Sequence, residues 1–376
     1  MTVHAKLSAS GSTRWLNCPG SVAAEEVCRD AGSIYAQAGS AAHELADICL
    51  THNHNPFTWE GKLLPDNNAV TVDREMCAAV QDYIDYVRTV PGVQEYEQRV
   101  DYSEWVPGGF GTSDVISVDG DTIYVVDLKY GQGVRVDAEQ NTQLMLYALG
   151  AYSERSLLHD LKTAKMAIVQ PPLDHISEWE INIPELLKWA AWVADRAEMA
   201  LSDDAERVPG EKQCQWCKAK GTCAALEQYT LRVVGGDFDS LDNPDTLTDE
   251  RIRAALEAKK MITGWLDAVE QHVVEQLESG KDFPGFKLVA GRSLRQWGDE
   301  GQAEQTLLEL LGQDAFERKL LSPSKAEKAL GKKKAADIAE LIVKPEGKAT
   351  LAPESDKRPA VNVQKSDFDA LTDPDV

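Results

Sequence analysis

The sequence predicts an α/β (α+β) protein with a mixed central sheet flanked by helices and a mainly helical C-terminal region. The order of the segments is the first observation: helices precede three strands, and a helix, two strands and a further helix follow. Composition is the second, because 43% hydrophobic residues in a 376-residue chain allow a sizeable core to be buried.

The first elements are predicted from spacing and from turn residues. Apolar residues recur at helical spacing before Pro91-Gly92, a pair that ends a helix. Two β-rich segments are joined by Asp119-Gly120-Asp121, which predicts a hairpin. The predicted elements are helices over 19–28, 36–50 and 74–90 and strands over 94–102, 112–118 and 122–128.

The following elements alternate between helix and strand. Pro171-Pro172 separates two strands, and Pro184 suits the first turn of a helix. The predicted elements are a helix over 138–152, strands over 166–170 and 176–183, and a helix over 184–201.

We expect four regions along the chain. The third begins with an amphipathic helix over 248–279, which needs a packing partner. It also holds a lysine-rich stretch over 318–348 that could contact DNA, with a solvated helical face as the more frequent explanation of such a stretch. The Pro- and charge-rich composition of the last region predicts disorder. The regions are a domain over 1–230, an acidic linker over 231–247, a mainly helical C-terminal domain over 248–345 and a disordered tail over 346–376.

Charge and composition exclude several classes of function. The net charge of −23 argues against non-specific coating of nucleic acid, although a local basic groove with bound cations can still attract phosphate. A Walker motif is absent, which excludes a helicase.

Neither a run of eighteen apolar residues nor a signal core is present, so we expect a cytoplasmic location without a membrane partner. The seven cysteines are then expected to be thiols or metal ligands.

Two carboxylates and a lysine are predicted to meet on the hairpin. Asp127 and Lys129 project from the same strand face, and Asp114 on the paired strand can lie beside them. Converging carboxylates repel unless a cation joins them, and oxygen ligands suit Mg²⁺ or Mn²⁺. A solvated hairpin face is the alternative, but Asp127 follows the apolar run 123–126, which is typical of an interior strand.

A helix face and a cysteine set accompany these residues. Gln143 and Tyr147 are one helical step apart and share a predicted face with Gln140. A C-x2-C-x5-C set can bind zinc or an iron–sulfur cluster, and metal-free thiols are the remaining alternative. A four-ligand site would take one more cysteine from upstream, with Cys18 as the best candidate and Cys28 as the second. The downstream set is Cys214, Cys217 and Cys223.

These motifs resemble the RecB-like branch of the PD-(D/E)XK nuclease superfamily over about residues 10–225. Asp114 matches the first acid, and Asp127-Leu128-Lys129 matches the D-x-K element. Gln143-x-x-x-Tyr147 matches the Q-x-x-x-Y motif of the branch. The helical histidine of the branch is matched by Gly39-Ser-Ala-Ala-His43.

The resemblance implies a restriction-endonuclease-like core with a metal-dependent site. Glu97, on the preceding strand, is an additional candidate acid, with a solvated strand edge as the alternative, and Gln140 is a further candidate. The implied ligands of Mg²⁺ or Mn²⁺ are His43, Asp114, Asp127 and the Leu128 backbone carbonyl, and Lys129, Gln143 and Tyr147 complete the site.

The cysteines resemble those of AddB-type and CRISPR-associated RecB-like nucleases. By this resemblance, a 4Fe–4S cluster would clamp the two ends of the nuclease domain, with a structural zinc as the alternative. The implied ligands are Cys18, Cys214, Cys217 and Cys223.

The function that the resemblance implies is that of a metal-dependent DNA nuclease. We expect an exonuclease that processes linear DNA ends in phage recombination or replication, in the host cytoplasm. The expected partners are DNA, a phage single-strand annealing or single-strand-binding protein, and a second copy of the chain. A structure-specific endonuclease is one alternative, and a non-catalytic protein that binds DNA ends or a partner is the other.

Overall fold

The computed structural model describes residues 5–28, 34–235, 248–289 and 306. The chain divides into two compact units, Met1–Phe286 and Lys287–Val376, and the fold described below is that of the first.

A five-stranded mixed sheet forms the centre of this unit, with the strands in the order β1-β2-β3-β4-β5. The β3–β4 pair is parallel, and the other neighbouring pairs are antiparallel. This arrangement confirms the predicted fold class. The strands are β1 (Val93–Asp101), β2 (Phe110–Asp119), β3 (Thr122–Leu128), β4 (Thr163–Gln170) and β5 (His175–Asn182).

Helices cover both faces of the sheet and extend beyond it. The α helices of the described residues are α1 (Ser12–Asn17), α2 (Ser21–Glu26), α3 (Ile34–His52), α4 (Arg74–Val87), α5 (Thr142–Arg155), α6 (Ile183–Leu201), α7 (Glu211–Gln215), α8 (Ala224–Gly235) and α9 (Asp249–Glu278). Short 3-10 helices occupy Pro56–Trp59, Pro171–Leu173 and Lys220–Thr222. None of the helices in this described part combines the length and apolar character that crossing a membrane requires.

The predicted hairpin joins β2 and β3. Asp119 pairs with Thr122 across the turn, and Gly120 has a φ of 58°, a left-handed conformation that glycine adopts without steric cost. The pairing continues to Val115 and Val126. This register brings Asp114 and Asp127 to the open end of the hairpin.

Two hydrophobic clusters hold the helices on the sheet. Side chains of α5 and α6 share one cluster with Ile123 and Val125 of β3. Side chains of α3 and α4 share the other with Val126 and Leu128. Because neighbouring residues of a strand point to opposite faces, β3 contributes to both clusters. Helix α5 is the crossover between the parallel strands β3 and β4, which keeps it against the sheet.

The beginning of the chain packs against a segment almost two hundred residues later. Trp15 and Leu16 of α1 are buried, and the Arg196 guanidinium of α6 donates a hydrogen bond to the Leu16 carbonyl at 2.7 Å. The Gly20 amide donates to the Glu206 carbonyl at 2.8 Å. The residues around Cys18 are thereby fixed against the segment that leads to α7.

The observed division differs from the predicted regions at two places. Residues 231–235 belong to α8, whereas the sequence analysis assigned them to a linker. Helix α9 packs against α7, α8 and the 3-10 turn at 220–222, so its contacts place it in the first unit rather than in a separate C-terminal domain. The lysine-rich stretch, the predicted tail and most of the linker lie outside the described residues.

Candidate functional site

The pairing of the sheet is interrupted on both sides of Asp114. On one side, the β2–β3 pairs end at Val115 and Val126, one position before Asp114 would face Asp127. The Leu128 amide instead donates a hydrogen bond to the Asp114 carboxylate (Oδ2) at 2.7 Å. On the other side, the β1–β2 register leaves out Glu97, the residue that would face Asp114. The three acidic side chains therefore lie at one level of the sheet.

Helix α3 brings His43 to this point. Its ring nitrogen Nδ1 lies 3.1 Å from Asp114 Oδ1. Burial alone would lower the pKa of His43, but the Asp114 carboxylate outweighs it and raises that pKa to about 9. Burial acts to raise the pKa of Asp114, and the His43 ring and the Leu128 amide together lower it. The two groups stabilise each other's charged forms.

Glu97 completes a group of three ligand atoms. One atom each of His43, Glu97 and Asp114 lie within 4.8 Å of one another, and within the described ranges this is the only such group of three or more. Glu97 has a φ of 46°, which is a strained conformation for a non-glycine residue inside a strand. Glu97 is an exposed residue overall, yet desolvation of its carboxyl group and the nearby Asp114 raise its pKa to about 7. A cation between these groups would relieve that repulsion.

The donor set fits a divalent cation that prefers oxygen ligands. Two carboxylates and one imidazole match the ligand preference of Mn²⁺, and Mg²⁺ accepts the carboxylates with water completing its shell. The Leu128 amide already holds one oxygen of Asp114, which leaves the other directed at His43 and Glu97.

A second network begins beside this group and runs into α5. The Lys129 ammonium lies 2.7 Å from Asp127 Oδ2 and donates a hydrogen bond to Gln143 Oε1 at 2.9 Å. The Gln143 amide nitrogen donates to Asp127 Oδ1 at 2.9 Å and to the Tyr147 hydroxyl oxygen at 3.2 Å. Since Lys129 can only donate and a carboxylate can only accept, the orientation of the Gln143 amide is fixed.

Asp127 is the most buried member of this network. Its side chain is 2% exposed, and burial raises its pKa while the Lys129 ammonium counteracts this in part. Its Oδ2 atom has the ion pair with Lys129 but no hydrogen bond of good geometry among the described residues. Oδ2 can therefore accept a further hydrogen bond in addition to its ion pair with Lys129.

Most of the predicted site residues come together in this arrangement, and Glu97 joins them. Gln140 does not share the helix face of Gln143 and Tyr147. The Asn141 side chain caps α5 by accepting hydrogen bonds from the amides of residues 143 and 144, so the helix begins at Thr142. Gln140 precedes the cap with a φ of 52° and is exposed. The predicted role of the Leu128 carbonyl stays a prediction.

Two residues near His43, Glu97 and Asp114 were not predicted from the sequence. Tyr83 of α4 and Asp47 of α3 line the same small cavity as His43, Glu97 and Asp114. Asp47 could have been found from its spacing, because it follows His43 by one helical step. The spacing of Tyr83 within α4 is that of a core residue, which gives no sign of a place at the site.

We expect Gly111→Ala to disturb the network through Tyr147. A Cβ atom at position 111 would lie 2.8 Å from Cε1 of the Tyr147 ring, closer than side-chain carbons approach one another. The ring must move, which weakens its contact with Gln143. Thermal unfolding should show a lower melting temperature than the wild type, because fitting an extra carbon into a packed region costs roughly 1–3 kcal/mol. Gly131→Ala is the control, because a Cβ atom there meets nothing within 4 Å; equal melting temperatures for the two variants would contradict this close contact with Tyr147.

The four predicted cysteine ligands line one small cavity of about 20 Å³. Backbone amides point at two of the sulfurs: the Val208 amide donates to Cys18 Sγ at 3.2 Å, and the Gly210 amide donates to Cys214 Sγ at 3.4 Å. Ser21, which lines the same cavity, is 3% exposed, and its hydroxyl has no hydrogen-bond partner among the described residues. Amide and hydroxyl donors of this kind stabilise thiolates and cluster sulfurs.

The protonation and spacing of the sulfurs bear on the kind of metal. Burial raises the pKa of Cys18 and Cys214, and it raises that of Cys217 to about 12, so a bound cation is needed to make these groups thiolates. No three of the four sulfurs, all within the described part, lie within 4.8 Å of one another. A tetrahedral zinc ion would hold them about 3.8 Å apart, so binding one requires the side chains to move closer together.

Comparison with known proteins gives a family and a loosely similar structure. The chain is similar to a solved structure titled "Crystal structure of SSO0001", at 15% sequence identity and with a TM-score of 0.28. The alignment covers 60% of this chain and 89% of that chain. A superposition this loose carries no argument about the site. The family model described as "Protein of unknown function (DUF2800)" matches residues 4–359, and the chain belongs to that family.

Proposed function

We propose that this protein is a metal-dependent DNA nuclease of the RecB-like type. One observation carries the proposal: His43, Glu97 and Asp114 form a ligand group at the level of the sheet where the Asp127–Lys129–Gln143–Tyr147 network begins. A cation group next to a buried acid and a lysine supports this proposal, because it can activate a water molecule and stabilise the charge that develops on a phosphate.

His43, Glu97 and Asp114 would hold Mg²⁺ or Mn²⁺, and Asp127 lies close enough to influence the pKa of His43. When bound, the cation would neutralise charge on the phosphate and lower the pKa of a bound water molecule.

The remaining residues orient the reacting groups. The Lys129 side chain is 26% exposed, so its ammonium can approach a phosphate from solvent while Asp127 and Gln143 hold it in place. Tyr147 accepts a hydrogen bond from Gln143, which leaves the Tyr147 proton free to be donated to a phosphate oxygen. Burial raises the pKa of Tyr147, so the hydroxyl keeps this proton at neutral pH.

The cysteine cavity would bind a 4Fe–4S cluster with a structural role. Cys18 would join the start of the domain to Cys214, Cys217 and Cys223 at its other end, where the fold already brings the two segments together. Thiolate ligands are stable in a reducing compartment, which supports action in the cytoplasm. A phage single-strand annealing or single-strand-binding protein would take over the strand that such an enzyme exposes.

Purified wild-type protein should be tested on linear and closed circular DNA of the same sequence with Mn²⁺, Mg²⁺ and EDTA. We expect progressive loss of linear DNA with Mn²⁺ or Mg²⁺, no loss in EDTA and an intact circle, because an exonuclease needs an end. Nicking or linearisation of the circle would indicate an endonuclease instead. Binding of linear DNA without cleavage in any metal would contradict the proposal and favour a non-catalytic DNA-end-binding protein.

A further inference from the structure

One buried hydroxyl at the proposed metal site has no hydrogen-bond partner. Tyr83 of α4 is 1% exposed, and its hydroxyl finds no donor or acceptor among the described residues. Buried polar groups are nearly always paired, so each exception calls for a partner that the protein chain does not supply. The ring itself lies in the hydrophobic cluster that α4 shares with α3 and the sheet.

The hydroxyl belongs to the surroundings of the cation group. Tyr83 lines the cavity that His43, Glu97 and Asp114 also line. Besides burial, the carboxylates of Asp114, Asp127 and Glu97 raise the pKa of Tyr83 well above its ordinary value. The phenol therefore keeps its proton and can serve as a hydrogen-bond donor.

The position of the hydroxyl is fixed by the helix that carries it. Asp73 caps α4 by accepting a hydrogen bond from the Met76 amide at 2.7 Å, and Val80, Ile84 and Val87 are fully buried on its inner face. Tyr83 cannot turn its hydroxyl toward solvent without leaving this packing. The group is therefore held in a single direction.

The cavity is lined by polar groups to which a water molecule can bond. A buried water typically makes about three hydrogen bonds, and the phenol donor and the carboxylate acceptors around the cavity supply such partners.

We propose that the Tyr83 hydroxyl donates a hydrogen bond to a water molecule held beside the cation that His43, Glu97 and Asp114 bind, which makes Tyr83 a positioning residue of the metal site. The inference rests on the proposed function, because it needs the cation. It extends the site to α4, an element that none of the motif residues occupies. Loss of such a supporting group typically weakens metal binding 10–100-fold.

The test is Tyr83→Phe, with Mn²⁺ binding measured by electron paramagnetic resonance and thermal unfolding measured with and without Mn²⁺. We expect at least a tenfold weaker Mn²⁺ affinity. Without metal, the variant should unfold at the same temperature as the wild type or higher, because the substitution removes an unpaired buried hydroxyl and keeps the ring. A merely structural role of Tyr83 would not produce this opposite pair of effects.

Tyr102→Phe is the matched control. Tyr102 is equally buried, but its hydroxyl donates to the Phe110 carbonyl at 2.9 Å and it belongs to the other hydrophobic cluster. Its loss should lower stability and leave Mn²⁺ affinity unchanged. Wild-type affinity in Tyr83→Phe would overturn the role of Tyr83 alone, whereas wild-type protein that binds no Mn²⁺ would overturn the proposed cation site as well.

Discussion

Replacing Lys129 by alanine is expected to lower the rate of DNA hydrolysis by a factor of roughly 10²–10⁴, the range that a positioned acid–base or charge-stabilising group contributes. The Lys129 ammonium is the positive charge beside the buried Asp127 carboxylate and also holds Gln143. Its removal leaves Asp127 without its charge partner and frees the Gln143 amide to turn.

Single-turnover digestion of linear DNA measures this effect, and circular dichroism checks that the variant is folded. Lys162→Ala is the matched control: Lys162 is 64% exposed and pairs only loosely with Asp121 and Asp160, at 3.8 and 3.5 Å. It should keep the wild-type rate. If Lys129→Ala digests DNA as fast as Lys162→Ala, the assignment of the site to the β2–β3 hairpin is wrong.

Replacing Cys18 by serine is expected to release the cluster that we propose for the cysteine cavity and to lower the stability of the whole domain. In that proposal Cys18 is the ligand that comes from the start of the chain, and a cross-link that closes roughly 200 residues is worth about 5 kcal/mol in the chain-entropy model. For a domain of this size, that corresponds to a fall of roughly 10–20 °C in melting temperature. Iron and sulfide analysis of anaerobically purified protein, with calorimetry, measures both effects.

Cys28→Ser is the matched control for this prediction. Cys28 lies in the same N-terminal segment and is half-buried, but its thiol donates to the Ala24 carbonyl at 3.4 Å and it does not line the cysteine cavity. The variant should keep its iron and its melting temperature. Loss of iron in Cys28→Ser but not in Cys18→Ser would show that Cys28, rather than Cys18, is the fourth ligand. A colourless wild-type protein that contains zinc would contradict the cluster.

Much of the fold could be predicted because its signals are local. The β-rich composition of residues 122–128 and the Asp119-Gly120-Asp121 turn predict the hairpin, and the structure has β3 over Thr122–Leu128. The start of α5 was predicted four residues early because the capping role of Asn141 was not recognised. The end of α8, residues 231–235, was assigned to the linker because α8 packs against α9, and that contact is not visible in the local pattern.

Only those site residues whose side chains have a distinctive chemistry could be predicted from the sequence. Residue type and spacing predicted five site residues. In the structure, Asp127, Lys129, Gln143 and Tyr147 form one network, and Asp114 accepts a hydrogen bond from the neighbouring Leu128 amide. No local sequence pattern predicts the left-handed backbone of Glu97, because it accompanies the interruption of strand pairing opposite Asp114. The spacing of Tyr83 predicts a core residue. Its unpaired hydroxyl, on which the proposed positioning role rests, is visible only in three dimensions.

The contact between the first helix and residues 205–208 has a consequence for synthesis on the ribosome. Trp15 and Leu16 are buried by α1 packing that includes α6 and α7, and the Gly20 amide bonds to the Glu206 carbonyl. At roughly 5–20 residues per second, the intervening chain takes about 10–40 s to emerge. During that interval the first apolar residues are made and exposed without their partners. Until α7 has left the exit tunnel, the first helix of a nascent chain therefore presents apolar surface of the kind that chaperones bind.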